Sequence, residues 1–203
     1  GGYLVWQPEG MSATGAQKLA DAIIATGRSA QVVSDLAPFG DFSTLDGLIL
    51  PLGVYGAKHV VTGAEGYAFS SYLKQGGRLY VEGGDFWYAD PKTFLQPLLK
   101  VVGKSDGAAT TAGPLVGQDF GYGLVHDLDF DYEFNSFLDV IDRGVGSVVV
   151  ARHGDDAQWP LAVAYENSTF GYRTVGTSVP FAALLNTPDA PKNLLDRYLD
   201  FLE

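Results

Sequence analysis

Over its first hundred residues the chain alternates short, unbroken apolar runs with segments of helical period, and this alternation points to strands and helices wound into one parallel sheet. Tyr3-Leu-Val-Trp6 is the first run; Gln7-Pro-Glu-Gly10 closes it, so it reads as a buried strand ending in a loop. Thr14-x-x-Gln17 has capping-box spacing, Leu19, Ala20, Ile23 and Ile24 recur at helical intervals, and Gly27 supplies a left-handed stop. Residues 30–34 and 45–52 are the next predicted strands, and the continuous apolarity of the second implies burial on both faces. Thr62-x-x-Glu65 opens a second helix, Gly76-Gly77 ends it, and residues 78–82 form a fourth strand running into Gly83-Gly84-Asp85. Asp90-Pro91 predicts a third helix, kinked or interrupted at Pro97 and finished by Gly103.

Residues 105–123 turn to Gly, Ala, Thr and Asp and read as an irregular excursion. Beyond it, residues 145–151, 161–165 and 172–179 are predicted strands, and Pro191 starts a last helix with Leu194, Leu195, Tyr198, Leu199 and Leu202 on one stripe. The expected fold class is therefore α/β: a doubly wound, mostly parallel sheet with helices on both faces, a β-rich C-terminal part and a final helix. A length of 203 residues suits a single domain over 1–203, and the Gly1-Gly2 start reads as the edge of a piece cut from a larger protein or as a tag remnant.

Composition excludes several functions. A formal charge of -11 repels phosphate backbones and anionic lipid, so neither nucleic acid nor a membrane surface is an expected partner. No apolar stretch is long enough to span a bilayer, so membrane insertion is not expected. The chain has 0 Cys, which removes disulfides, thiolate metal ligands and any Cys nucleophile together.

Asp46-Gly-Leu-Ile-Leu-Pro-Leu-Gly53 and Gly77-Arg-Leu-Tyr-Val-Glu-Gly-Gly84 resemble the oxyanion strand and the nucleophile-elbow strand of class I glutamine amidotransferase-like domains, a flavodoxin-like α/β family. Residues 162–166, residues 172–181 and the Leu-rich terminal helix look like divergent members found in bacterial secreted, multidomain surface proteins. The resemblance implies an extracellular or cell-surface location, with other domains of the parent protein, or an extracellular protein or glycan, as partners. It also exposes two vacancies. The family's glutaminase uses a Cys at the elbow and a His near the last strand, whereas this chain has Glu82-Gly83-Gly84 and Ser178-Val-Pro-Phe181 at those places. The leading reading is a non-catalytic accessory or interaction module with no cofactor.

Three other constellations stay open beside it. Glu82 and Asp85 sit where a parallel sheet presents its ligand edge, and with Trp6, Tyr55 and Trp87 on neighbouring loops they outline a carbohydrate-active hydrolase with a sugar-stacking cleft; Phe86 and Tyr88 lie at the same edge. The plainer account is that the aromatics plug the core and the two acids accept backbone hydrogen bonds. Ser12-Ala-Thr-Gly15 resembles a flavodoxin phosphate loop and so raises FMN, although helix capping by Thr14 explains the same residues. Asp127, Asp129 and Asp131 have the opening spacing of a Ca²⁺ loop, but Tyr132 and Leu138 stand where Gly and the bidentate Glu belong. A half-buried strand with Leu128, Phe130 and Tyr132 inward accounts for that segment too. His59, His126 and His153 have no second ligand at metal spacing and read as surface or locally bonded imidazoles.

Overall fold

The computed structural model describes residues 1–11, 13–108, 113–129, 137–185 and 190–203. The chain begins with β1 (Tyr3–Trp6), α1 (Ala13–Ala25), β2 (Ala30–Val33) and β3 (Gly47–Pro51). A small hairpin, β4 (Gly53–Val54) with β5 (Ala57–Lys58), stands at the end of β3, and α2 (Gly63–Lys74) then leads into β6 (Arg78–Glu82). The short α3 (Gln96–Leu99) is followed by β7 (Val101–Ser105), β8 (Leu115–Gly117), β9 (Val125–His126) and β10 (Val140–Arg143). Three longer strands, β11 (Val148–His153), β12 (Pro160–Asn167) and β13 (Tyr172–Thr177), precede the terminal α4 (Ala190–Leu202).

Among the described residues nine strands make the central sheet, ordered β2-β1-β3-β6-β13-β12-β11-β8-β9. The five from β2 to β13 in that order run parallel, and β12, β11, β8 and β9 continue by antiparallel pairing. This is the predicted α/β architecture with its β-rich second part. Alternate side chains of the central strands divide between two cores, as a pleated strand buried on both faces requires. Val5, Ile49, Tyr80 and Val175 pack with α1 and α4, through Leu19, Ile23, Leu195, Tyr198 and Leu199. Leu4, Leu48, Leu50, Leu79 and Val81 pack on the other side with Phe69 and Leu73 of α2 and Leu99 of α3. Each fully buried leucine of the α4 stripe contributes roughly 2 kcal/mol relative to exposure, which fixes that helix to the sheet.

The capping box at Thr62 forms as the spacing predicts: Glu65 N donates to Thr62 Oγ1 (3.2 Å), and Thr62 N donates to the Glu65 carboxylate (2.8 Å). Two other predictions need correction. α1 begins at Ala13, so Thr14 lies inside its first turn instead of capping it, and Gln17 reaches forward to Asp21 (2.8 Å). Asp90-Pro91 starts no helix, because Asp90 is buried and held by the Lys58 ammonium; the helix starts at Gln96, with Pro97 in its first turn, where a missing N–H costs nothing. Residues up to Gly103, expected to finish that helix, instead belong to β7, which pairs with β10 outside the main sheet.

The two ends of the chain are tied together. Tyr3 Oη donates to Glu203 (3.1 Å), and the Arg28 guanidinium, placed just before β2, bonds Asp196, Asp200 and Glu203 along one side of α4.

Candidate functional site

β6 lies between β3 and β13, and its last residue, Glu82, is in register with Pro51 and Thr177. That places Glu82 at the carboxyl edge of the parallel strands, where open α/β sheets take ligands. The turn that follows is closely built. Gly83 N donates to Thr177 O (3.1 Å), Gly84 N donates to Gly53 O (2.9 Å), and a Cβ on Gly84 would lie 2.8 Å from Val54 and 2.9 Å from Leu138. A larger residue there would force the Val54 and Leu138 side chains to shift. Gly53 faces a second restriction, since its φ of 82° and a backbone oxygen 2.2 Å from any added Cβ exclude other residues.

Glu82 is 3% exposed, and its Oε2 accepts hydrogen bonds from the Tyr80 hydroxyl (2.7 Å) and from Phe181 N (2.8 Å). Burial pushes its carboxyl up to about 7, against those two bonds, which favour the ionised form. The carboxylate thereby links β6 to the turn that follows β13.

Asp85, three residues on, is equally enclosed but meets an ammonium: Lys58 Nζ, on the β4–β5 hairpin, donates to Asp85 and to Asp90. Asp139 joins from the segment before β10. Its Oδ2 accepts from Trp87 N (2.9 Å) and Tyr88 N (2.8 Å), and its own N–H donates to Gly84 O (2.6 Å). Burial, and then the charges of Asp85 and Asp106, push the Asp139 carboxyl up to about 6. Carboxylate oxygens of Asp85, Asp106 and Asp139 lie within 4.8 Å of one another. Over Asp85 and Asp106 opens a cavity of about 450 Å³, rimmed by Tyr55, Lys58 and Phe137.

Against this geometry the predicted sugar-stacking cleft is corrected. Trp6 is 4% exposed, donates its indole N–H to Ser34 O (3.2 Å) and packs edge-on against Phe69 and His59; Trp87 is 2% exposed and donates to Thr177 O (3.1 Å). Neither indole has a face left for a sugar ring, because both sit in the core on the α2 side. Tyr55 is exposed at the hairpin turn and is the one of the three that borders the cavity. Glu82 and Asp85 share a turn but serve different partners.

The acidic segment places Asp127 and Asp129 in solvent and Leu128 partly buried against the core; Asp131 lies outside the described residues. Leu185 N donates to Asp127 O (3.0 Å) and Asp129 N donates to Ala183 O (2.7 Å), an extended pairing over residues 127–129. Ser12 of the FMN-type loop also lies outside the described residues, and Thr14 and Gly15 belong to α1. His59 bonds Glu65 (2.9 Å), and His153 Nδ1 accepts from Asp155 N and Asp156 N (3.1 Å each), so both are locally bonded. His126 departs from expectation: it is buried, and among the described residues neither ring nitrogen has a partner.

Sequence reasoning missed Lys58, Asp106 and Asp139 and misassigned Asp90. Asp139 belonged to a visible acidic stretch, but no spacing in the chain joins these four residues to Asp85.

No family model matches the sequence, and no curated protein matches it. Solved structures do. The fold is similar to the exo-β-1,4-mannosidase Op5Man5 from Opitutaceae bacterium strain TAV5, at TM-score 0.66 and 14% identity, over 98% of this chain and 35% of that one. The chain thus spans about a third of that enzyme's length. It is also similar to a GMP synthase-type protein from Thermoplasma acidophilum, at TM-score 0.58 and 8% identity, over 100% of this chain and 94% of that one. A ThuA-like protein from Parabacteroides merdae matches at TM-score 0.56 and 13% identity, over 98% of this chain and 88% of that one. The last two share the class I glutamine amidotransferase-like fold, and at such identities the likeness establishes fold alone.

Proposed function

We propose that this chain is a non-catalytic accessory module of a larger extracellular or cell-surface bacterial protein, offering an interaction surface to neighbouring domains or to an extracellular protein or glycan. One observation carries the reading. The residue at the end of the central strand, where the related fold mounts its nucleophile, is Glu82, and its carboxylate is taken up in bracing Tyr80 and the Phe181 backbone. The match to about a third of a mannosidase chain supports a place within a multidomain protein. Incubation with glutamine and with aryl β-mannosides and β-galactosides is expected to give no turnover above buffer. Turnover that Glu82→Gln abolishes would overturn the proposal.

A second reading, a glycoside hydrolase acting through Glu82 and Asp85, draws on the carboxyl of Glu82 at about 7, a value suited to a general acid. The same assay separates the two, since only the hydrolase reading expects products.

A further inference from the structure

The carboxylates of Asp85, Asp106 and Asp139 gather beside the cavity, and one ammonium, Lys58, joins Asp85 to a fourth acid, Asp90. Lys92, the next lysine along, is spent on the carbonyls of Trp87 and Tyr88. Negative charge is therefore in excess in a place where three of the four acids are screened from water. An acidic cluster alone would mean little, but a separate feature points to something bound. Asp139 is 2% exposed; its Oδ2 holds two amides, while its Oδ1 is buried and, among the described residues, has no hydrogen-bond partner. Leaving such an oxygen unmatched is costly, and structures supply a donor, a water or an ion in most cases.

We propose that Asp85, Asp106 and Asp139 bind a hard divalent cation of the Ca²⁺ kind, with its remaining coordination positions turned toward the cavity. Oxygens around Ca²⁺ lie about 2.3–2.6 Å from the ion, so any two of them are at most roughly 5 Å apart. A mutual separation within 4.8 Å fits one coordination sphere. Lys58 bonds Asp85 through Oδ2 and Asp90 through Oδ1. The ligands come from three segments: the glycine turn after β6, the residue after β7 and the residue before β10. A cation there ties the outlying β7–β10 pair to the central sheet. This site is distinct from Asp127 and Asp129, which lie on the strand-like segment paired with residues 183–185.

The test is calorimetric titration of chelator-dialysed protein with CaCl₂. Wild type is expected to show one saturable site, and Asp106→Asn, whose side chain is exposed and whose loss leaves the core intact, to bind at least about tenfold more weakly. Asp139→Asn is expected to lose binding, and Asp129→Asn to bind as wild type does. Circular dichroism of each variant confirms that it is folded. Absence of saturable heat up to about 10 mM, above the 10⁻⁴–10⁻³ M range of weak extracellular sites, overturns the proposal. So does unchanged affinity in Asp106→Asn, or binding that disappears in Asp129→Asn. None of these outcomes bears on whether the chain turns over glutamine or glycosides, so the two proposals stand or fall separately.

Discussion

Glu82 and Asp85 stand at the two ends of one glycine turn and are almost equally buried, at 3% and 5%, yet their surroundings differ in kind. Glu82 faces neutral donors, a phenol and an amide, whereas Asp85 faces an ammonium and has two further carboxylates close by. The difference teaches that depth does not decide what a buried acid does; the charge of its partner does. An acid among neutral donors is a bracing group that a neutral amide can replace. An acid paired with an ammonium belongs to a charge balance that fails when either partner goes.

The sharpest way to break this contrast is Lys58→Gln. It leaves Asp85 and Asp90 buried without their counter-charge, and a loss of about 3 kcal/mol in chelator is expected from urea melts. Added Ca²⁺ should recover part of that loss, while a variant as stable as wild type would erase the distinction between the two acids.

Glu82→Gln tests the other side. The Glu82 carboxyl is raised from 4.5 to about 7 by burial, so the folded state keeps its proton while the unfolded chain gives it up. Its stability contribution is complete below pH 4.5 and is lost as pH rises through about 7, a change of at most roughly 3 kcal/mol. Glu82→Gln should therefore match wild type near pH 4 and exceed it at pH 8, as read by thermal melts at the two values.

His126 gives a smaller effect of opposite slope. Burial lowers its imidazole below 6.5, so the unfolded chain binds the proton first and stability falls as pH drops through 6.5 and below. Replacing His126 with Phe should flatten that part of the pH–stability curve; an unchanged curve would assign the slope elsewhere. Smallest of all is Asp106→Asn in chelator, which should leave the melting midpoint where it is, because the exposed side chain carries no fold-supporting contact comparable to that of Lys58.

Legibility followed the same division between local and distant causes. β1, β3 and β6 each carry their own unbroken apolar run, and α2 carries its own capping box, so the parallel half could be read from neighbouring residues. β8, β9 and β10 are two to four residues long and owe their existence to the strands beside them, so nothing within them announces it. Asp90-Pro91 has the local form of a helix start, which the distant Lys58 overrides. Of the site, Glu82 and Asp85 were readable because a strand followed by a glycine turn marks the ligand edge. Trp6 and Trp87 looked like loop aromatics because sequence shows their place along the chain and not the direction of the ring. Lys58, Asp106 and Asp139 converge only through folding.

The bond between Tyr3 and Glu203 brings residues near the two ends of this sequence within side-chain reach of each other. Joining residue 203 to residue 2 with a short glycine linker and opening the chain at the exposed Tyr122-Gly123 turn cuts none of the central strands, so such a circular permutant should fold.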